Sequence, residues 1–299
     1  RVVEAPPPRV PSAEDRRAAA RAVARSQQGL PAYPKVVEAR GNGGAVATGH
    51  PLATAAAMRV LREGGSAADA AVAAALALGV AEPYHAGLGG GGFAVHWNAA
   101  TGTARVIDFR ERAPSMVPAA GYERLPRRRG CTAVAIPGAV AGLWALHAAG
   151  GRLGWARLFE DAVEAADEGV VVGGLMAARI LERSRALTDD PDAAAIFLPG
   201  GRPLGRGKIL YQHELADSMR RIAAEGPDAF YGGVIGASIV EGCRHRNGLM
   251  TEEDFRTYRA RTGPAVTATV GNQQLFTVGP PSIGGLQVLQ MYRMSRKLP

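Results

Sequence analysis

Residues 82–114 carry the side chains with the clearest chemical potential. Arg110 stands in the run Asp108-Phe109-Arg110-Glu111-Arg112-Ala113-Pro114, a short distance after the loop Gly87-Leu88-Gly89-Gly90-Gly91-Gly92. A guanidinium is planar, permanently charged and suited to taking a carboxylate through two parallel hydrogen bonds. Glycines without Cβ atoms are free to adopt positive φ and let other backbone come close. Together they suggest an arginine at the mouth of a glycine-walled anion cavity. Two plainer readings stay open on local evidence: Arg110 pairs with Asp108 or Glu111, an exposed contact worth little, and the loop is a tight structural crossing. A phosphate cradle fits poorly, because no Lys-Ser/Thr follows the glycines. The loop also leaves a helix and enters a strand, the reverse of the dinucleotide-binding order.

The elements around this stretch are readable from pattern. Residues 93–97 and 103–109 read as paired strands joined by a turn at 98–102, so Arg110 falls where the second strand ends. Ahead of the loop, Ser66 and Asp69 resemble a capping box, opening a helix over residues 67–80 with no polar face beyond Asp69. A helix apolar all round is expected to be buried on all sides. Before it come a short strand over 45–48 and a helix from Pro51, ended by Gly64-Gly65. Beyond the hairpin the reading gives a strand over 131–135, helices over 139–149, 155–168, 175–184, 212–225 and 233–244, and a turn at 227–231. Thr251 caps a short helix, strands follow at 265–270 and 273–278, and Ser282 caps a last helix from Leu286. Strand pairs flanking a helical middle favour α+β over strict βαβ alternation. Residues 1–34, with Pro6-Pro7-Pro8 and a charged alanine-rich piece at 13–25, read as a flexible tail, and residues 35–299 as one domain.

Composition excludes more than it assigns. The formal net charge is +8 and the pI about 10.0, but all the basic residues except Lys35, Lys208 and Lys297 are arginines, spread along the chain with one cluster at Arg127-Arg128-Arg129. No zinc-finger spacing or aromatic ladder accompanies them, so nucleic acid is not an expected partner. Cys131 and Cys243 permit one disulfide without requiring it. The most apolar run, residues 70–81, is too short to span a membrane. No signal peptide opens at Arg1, and since no initiator methionine does either, the compartment stays open. The six histidines lack metal-ligand spacing, so no metal or cofactor is expected. His50, before Pro51, and His85, in the glycine loop, are the two worth testing. No Gly-x-Ser-x-Gly nucleophile elbow is present.

Read together, the motifs resemble the large subunit of the γ-glutamyltransferase (glutathione hydrolase) family. The matching pieces are Gly49-His50-Pro51-Leu52-Ala53-Thr54, Gly64-Gly65-Ser66-Ala67-Ala68-Asp69-Ala70-Ala71-Val72-Ala73 and Gly87-Leu88-Gly89-Gly90-Gly91-Gly92-Phe93. Asp108-Phe109-Arg110-Glu111, Ala113-Pro114, Pro137-Gly138, Gly226-Pro227-Asp228-Ala229-Phe230-Tyr231 and Pro280-Pro281-Ser282 with Gly284-Gly285 follow in family order.

That resemblance implies an N-terminal-nucleophile hydrolase, a four-layer αββα sandwich of which this chain is the large-subunit part, made by autocatalytic cleavage of a precursor. A threonine freed at the start of a small subunit attacks the γ-glutamyl carbonyl, with its own amine as base, and the acyl group passes to water, an amino acid or a peptide. Arg110 is then the grip on the substrate α-carboxylate, with Glu111, Gly89 and Gly90 as further substrate-binding candidates. No catalytic residue is expected in this chain, which should not turn over without its small subunit. Export, to a secreted or periplasmic location, is also implied. An acylase of the same fold acting on glutaryl or cephalosporin-type dicarboxyl amides is an alternative. So is a non-catalytic homologue serving as a binding or assembly partner. Two residues depart from the family pattern. Arg112 stands where a small, polar or apolar residue is usual, and Ile283 where a second serine is common.

Overall fold

The computed structural model describes residues 42–121, 125–126 and 129–296. The proposed tail, its helix over 13–25 and most of the arginine cluster lie outside them.

Two helices lead. α1 (Pro51–Arg62) has Pro51 in its first turn, and His50 Nδ1 accepts the Leu52 N–H at 3.2 Å. His50 is therefore a cap. α2 (Ala67–Ala81) starts at the expected capping box: Ser66 Oγ accepts from the Asp69 N–H, and Asp69 accepts from the Ser66 N–H. α2 packs on α1, on α3 (Ala139–Gly150) and on α4 (Glu160–Glu168). Its Val72, Leu76 and Val80 are buried, each contributing roughly 1.5–3 kcal/mol, while the alanines between them let neighbouring helices approach.

β1 (Phe93–Asn98) and β2 (Thr103–Asp108) pair antiparallel from Phe93↔Asp108 to Asn98↔Thr103. Asn98 Oδ1 accepts from the Ala100 and Thr101 N–H groups in the turn. After α4 come β3 (Val170–Val171), α5 (Gly174–Thr188), α6 (Pro191–Phe197), β4 (Ile209–Leu210), α7 (His213–Glu225), α8 (Asp228–Tyr231), α9 (Val234–Arg244) and α10 (Glu252–Thr257). Then β5 (Arg261–Pro264) joins the first sheet on the free side of β2, with Arg261 opposite Asp108. β6 (Val266–Val270) and β7 (Gln273–Thr277) form a separate hairpin before α11 (Gly284–Ser295). The mixed α+β reading holds.

Several expectations are corrected. Residues 45–48 form no strand and pair with no other strand among the described residues. Residues 131–135 also form none, and pairing there is a single bridge between Arg112 and Ile136. The turn at 227–231 is the short helix α8. Ser282 caps nothing: Ile283 holds the cap position of α11, without a side-chain hydrogen bond. α2 is not buried on every side. Ala67 and Ala71 are exposed, with Ala75 and Leu78 half-buried, and this stripe walls an open groove of about 830 Å³ together with Val46 and Trp97. The two cysteines are neighbours left as free thiols; burial and a hydrogen bond with Cys131 push the Cys243 thiol up to about 12. Among the described residues no helix is long and apolar enough to cross a membrane.

Candidate active site

The glycine loop is held by backbone on three sides. At the foot of α2 the chain turns back, with the His85 and Ala86 N–H groups on the Glu82 carbonyl at 2.8 and 3.0 Å. Gly92 and Phe109 exchange two hydrogen bonds (3.2 and 2.9 Å), carrying the β1–β2 ladder one pair further. The Gly90 carbonyl accepts from both Gly138 and Ala139 at 2.9 Å, which ties the loop to the first turn of α3.

Close approach, not left-handed backbone, is what these glycines provide. Among the described residues none from Gly87 to Gly92 has positive φ. A Cβ at Gly91 would meet the Phe109 carbonyl oxygen at 2.5 Å and the Glu111 nitrogen at 3.0 Å, and one at Gly92 would press on the Phe109 ring. Gly138 and Gly142 are likewise closed against Phe109. Gly89 is different: a Cβ there meets nothing within 4 Å. Gly89, Gly90 and Glu111 line a cavity of about 510 Å³ with Leu76, Tyr84 and Leu143.

Arg110 is not at the mouth of that cavity. It lines a separate cleft of about 130 Å³ with Asp108, Glu111, Arg112, Arg259 and Arg261, and Glu111 alone among the anticipated residues borders both. The Arg110 backbone is fixed: its N–H donates to Asp108 Oδ1 (3.0 Å), and its carbonyl accepts the Tyr258 hydroxyl (2.8 Å). Its side chain is 53% exposed, with Nε 3.4 Å from Glu111 Oε2 and the guanidinium over the Phe93 ring at 5.8 Å. The Asp108 alternative is thus a backbone contact, and the Glu111 pair is long and wet, a weak competitor for a ligand carboxylate.

What fixes the arginine was not anticipated. Tyr258, buried, stacks on Tyr231 with ring centres 5.4 Å apart and planes 9° apart. Tyr231 in turn donates to the Pro137 carbonyl (2.9 Å) and accepts from the Ala141 N–H (3.2 Å). Arg112 covers the outer side of the column, 5.4 Å from the Tyr258 ring centre. Burial pushes the Tyr258 phenol up to about 12; Asp108 and Glu111 add to the rise, and Arg112 and Arg261 oppose it. Upstream, the capping box of α10 leaves Asp254 Oδ1 free to accept the Ser115 N–H at 3.0 Å. The segment ending in Tyr258 therefore clasps the Arg110 motif at two points. The sequence signal was present, as a capping box followed by a tyrosine, but not its destination.

His85 is exposed, 3.5 Å from Glu82 Oε2. Among the described residues no group of three or more His, Cys, Asp or Glu side chains gathers as a metal site would require.

The architecture is shared with known proteins. A family model described as gamma-glutamyltranspeptidase matches residues 53–298. The chain belongs to the gamma-glutamyltranspeptidase family. Relatives include the Acylase ACY 1 proenzyme of Pseudomonas sp. strain SE83, 38% identical over 266 residues, which are 85% of this chain and 48% of that protein. The glutathione hydrolase proenzyme of Bacillus subtilis strain 168 is 34% identical over 262 residues, 85% of this chain and 44% of that protein. The crystal structure of Helicobacter pylori gamma-glutamyltranspeptidase superposes with a TM-score of 0.83 at 28% identity, covering 88% of this chain and 77% of that one. The fold is thus the N-terminal-nucleophile hydrolase fold of this family. This chain spans just under half the length of the two curated relatives.

Proposed function

We propose that this chain is the large-subunit, substrate-anchoring part of a γ-glutamyl hydrolase and transferase. Its nucleophilic threonine is supplied by a small subunit released from the same precursor. Arg110 grips the α-carboxylate of the γ-glutamyl group, and Glu111, Gly89 and Gly90 line the adjoining space. In the assembled enzyme the threonine hydroxyl attacks the γ-carbonyl, its proton passing to the threonine's own amine. The leaving amine takes that proton and departs, and water or an acceptor amine then releases the γ-glutamyl group from the ester. No cofactor takes part.

The observation that carries this reading is the contrast within Arg110 itself. Its backbone is held at both the N–H and the carbonyl, while its guanidinium stays half in solvent with only the long Glu111 contact and the Phe93 ring beside it. Preorganised backbone with a free charged head is what bidentate capture of a carboxylate requires. The test is co-expression with the small-subunit region, followed by an assay of amine release from a γ-glutamyl anilide. Turnover is expected only when both parts are present.

A second reading, an acylase that removes a glutaryl or similar dicarboxyl group, is supported by the acylase relative at 38% identity. It keeps the arginine grip and dispenses with recognition of the substrate amine. Comparing γ-glutamyl with glutaryl anilides separates the two, because only the first carries the amine.

A further inference from the structure

The two cysteines are reactive side chains that the proposed function leaves unused. Cys131 sits in a turn where the Ala133 N–H donates to the Gly130 carbonyl at 2.9 Å, and Cys243 in the last turn of α9. Far apart in sequence, they meet at Gly248. Its N–H donates to the Cys243 carbonyl at 2.7 Å, and a Cβ at Gly248 would stand 2.7 Å from the Cys243 Cβ and 2.9 Å from the Cys131 Cβ. The two cysteine Cβ atoms are therefore at most about 5.6 Å apart, where a disulfide asks for roughly 3.5–4.5 Å. The thiols already hydrogen-bond to one another across that gap.

Exposure sets an order of reaction. Cys131 is half-buried and Cys243 buried, so a reagent from solvent meets Cys131 first. Arg246, paired with Asp190, holds a positive charge nearby that opposes the rise burial imposes on the Cys243 thiol. The segments the cysteines belong to are the two that hold the Arg110 motif. From Cys131 the chain runs to Ile136, which bridges Arg112, and to Pro137, whose carbonyl takes the Tyr231 hydroxyl. From Cys243 it runs through Gly248 into α10, whose Asp254 accepts the Ser115 N–H, and on to Tyr258, which donates to the Arg110 carbonyl. A bond between the two sulfurs joins both sides of that clasp.

We propose that Cys131 and Cys243 form a reversible dithiol–disulfide pair that fastens the clasp around Arg110. The oxidant is a low-molecular-weight organic disulfide. The Cys131 thiolate attacks one of its sulfurs and releases one thiol. Cys243 then gives up its proton and attacks the Cys131 sulfur of the mixed disulfide, displacing the second thiol. The two cysteine protons end on the two released thiols, so one disulfide is formed and one is reduced. Closing a loop of about 110 residues stabilises chiefly by restricting the unfolded chain, and holding both sides of the clasp lessens the ordering that substrate binding costs. The pairing holds whatever the substrate; its effect on the site rests on Arg110 being the anchor.

The test takes the processed two-subunit enzyme, one portion reduced with dithiothreitol and one treated with 2-hydroxyethyl disulfide, which carries no γ-glutamyl group to be consumed. Non-reducing peptide mass spectrometry should find Cys131 joined to Cys243 in the second portion, and dithiothreitol should reverse the link. The oxidised portion should melt about 3 °C or more higher. Its KM for γ-glutamyl-4-nitroanilide should fall about twofold or more, with kcat little changed. Cys131→Ala should show none of these responses. Because both portions are the same unaltered enzyme, no folding defect enters the main comparison. Two thiols still open to alkylation after treatment, or a reaction that halts at a Cys131 mixed disulfide, would overturn the pairing. A link that leaves KM unmoved would overturn its hold on the clasp. If Arg110→Ala cleaves the anilide like the parent enzyme while the link still forms, the anchoring reading falls and the pairing stands.

Discussion

Asp69 and Arg110 are the two charged residues on which this molecule turns, and their surroundings are opposites. Asp69, at the root of α2, is fully buried, and its Oδ2 accepts from the Ser66 N–H and hydroxyl, the Arg152 N–H and the Leu153 N–H. Burial alone would push its carboxyl up; these donors outweigh that and hold it below the usual carboxylate range. Arg110 has its backbone pinned and its side chain half-exposed, touched only by the long Glu111 pair and the Phe93 ring. The first arrangement makes frame: α2, its capping turn and the entry to Trp155 are fastened at one point. The second leaves a half-exposed charge only weakly engaged among the described residues. The donors around Asp69 all converge on Oδ2, while the buried Oδ1 has no hydrogen-bond partner among the described residues and faces only His147 Nε2 at 3.7 Å, closed off from any ligand.

The sharpest way to break the comparison is Asp69→Ala. It leaves the Arg152 and Leu153 N–H groups without their acceptor and should cost about 3 kcal/mol of stability, read by denaturant unfolding. The sign with pH follows from the lowered carboxyl. Its contribution is present above the ordinary carboxylate value and is lost as pH falls through the folded value, so Asp69→Asn should flatten the acid limb of the stability curve.

A smaller effect tests the loop. Gly91→Ala forces a methyl against the Phe109 carbonyl and should cost about 2 kcal/mol. Gly89→Ala, facing open space, should stay within about 0.5 kcal/mol while altering substrate KM by narrowing the cavity. Equal destabilisation by the two would mean that the loop is packing throughout.

Smaller still is Tyr258→Phe, which keeps the stack and loses the hydrogen bond to Arg110, for about 1 kcal/mol. Because the Tyr258 phenol is raised, the stability it contributes is fully present below about 10 and is lost as pH climbs through about 12. Tyr258→Phe should therefore lessen the alkaline loss of stability, measured by thermal melts between pH 9 and 12. In the assembled enzyme it should raise KM more than it lowers kcat, since it loosens a binding group.

How much of this was legible depended on distance along the chain. The capping box at Ser66–Asp69, the Thr251 cap, the β1–β2 hairpin and the placing of Arg110 at its end are local patterns, and they hold. The contact that fixes Arg110 joins residues 148 apart in sequence, and no spacing rule reaches that far. β5 escaped because Arg261-Thr262-Gly263-Pro264 has no apolar alternation; it is a strand only because β2 offers it an edge. Residues 45–48 fail the other way, with strand-like composition and no partner. The glycine loop was located correctly, but its cavity and the arginine cleft were merged, because only three dimensions separate side chains one residue apart in sequence.

The most direct measurement is Arg110→Ala in the processed enzyme, with kcat/KM for a γ-glutamyl anilide and the melting temperature taken on the same sample. Carboxylate anchoring by Arg110 predicts a fall of about 30-fold or more in kcat/KM, the loss of roughly 2 kcal/mol of carboxylate recognition, with the melting temperature essentially unmoved. An unchanged kcat/KM, or a loss explained by a matching fall in stability, would contradict it.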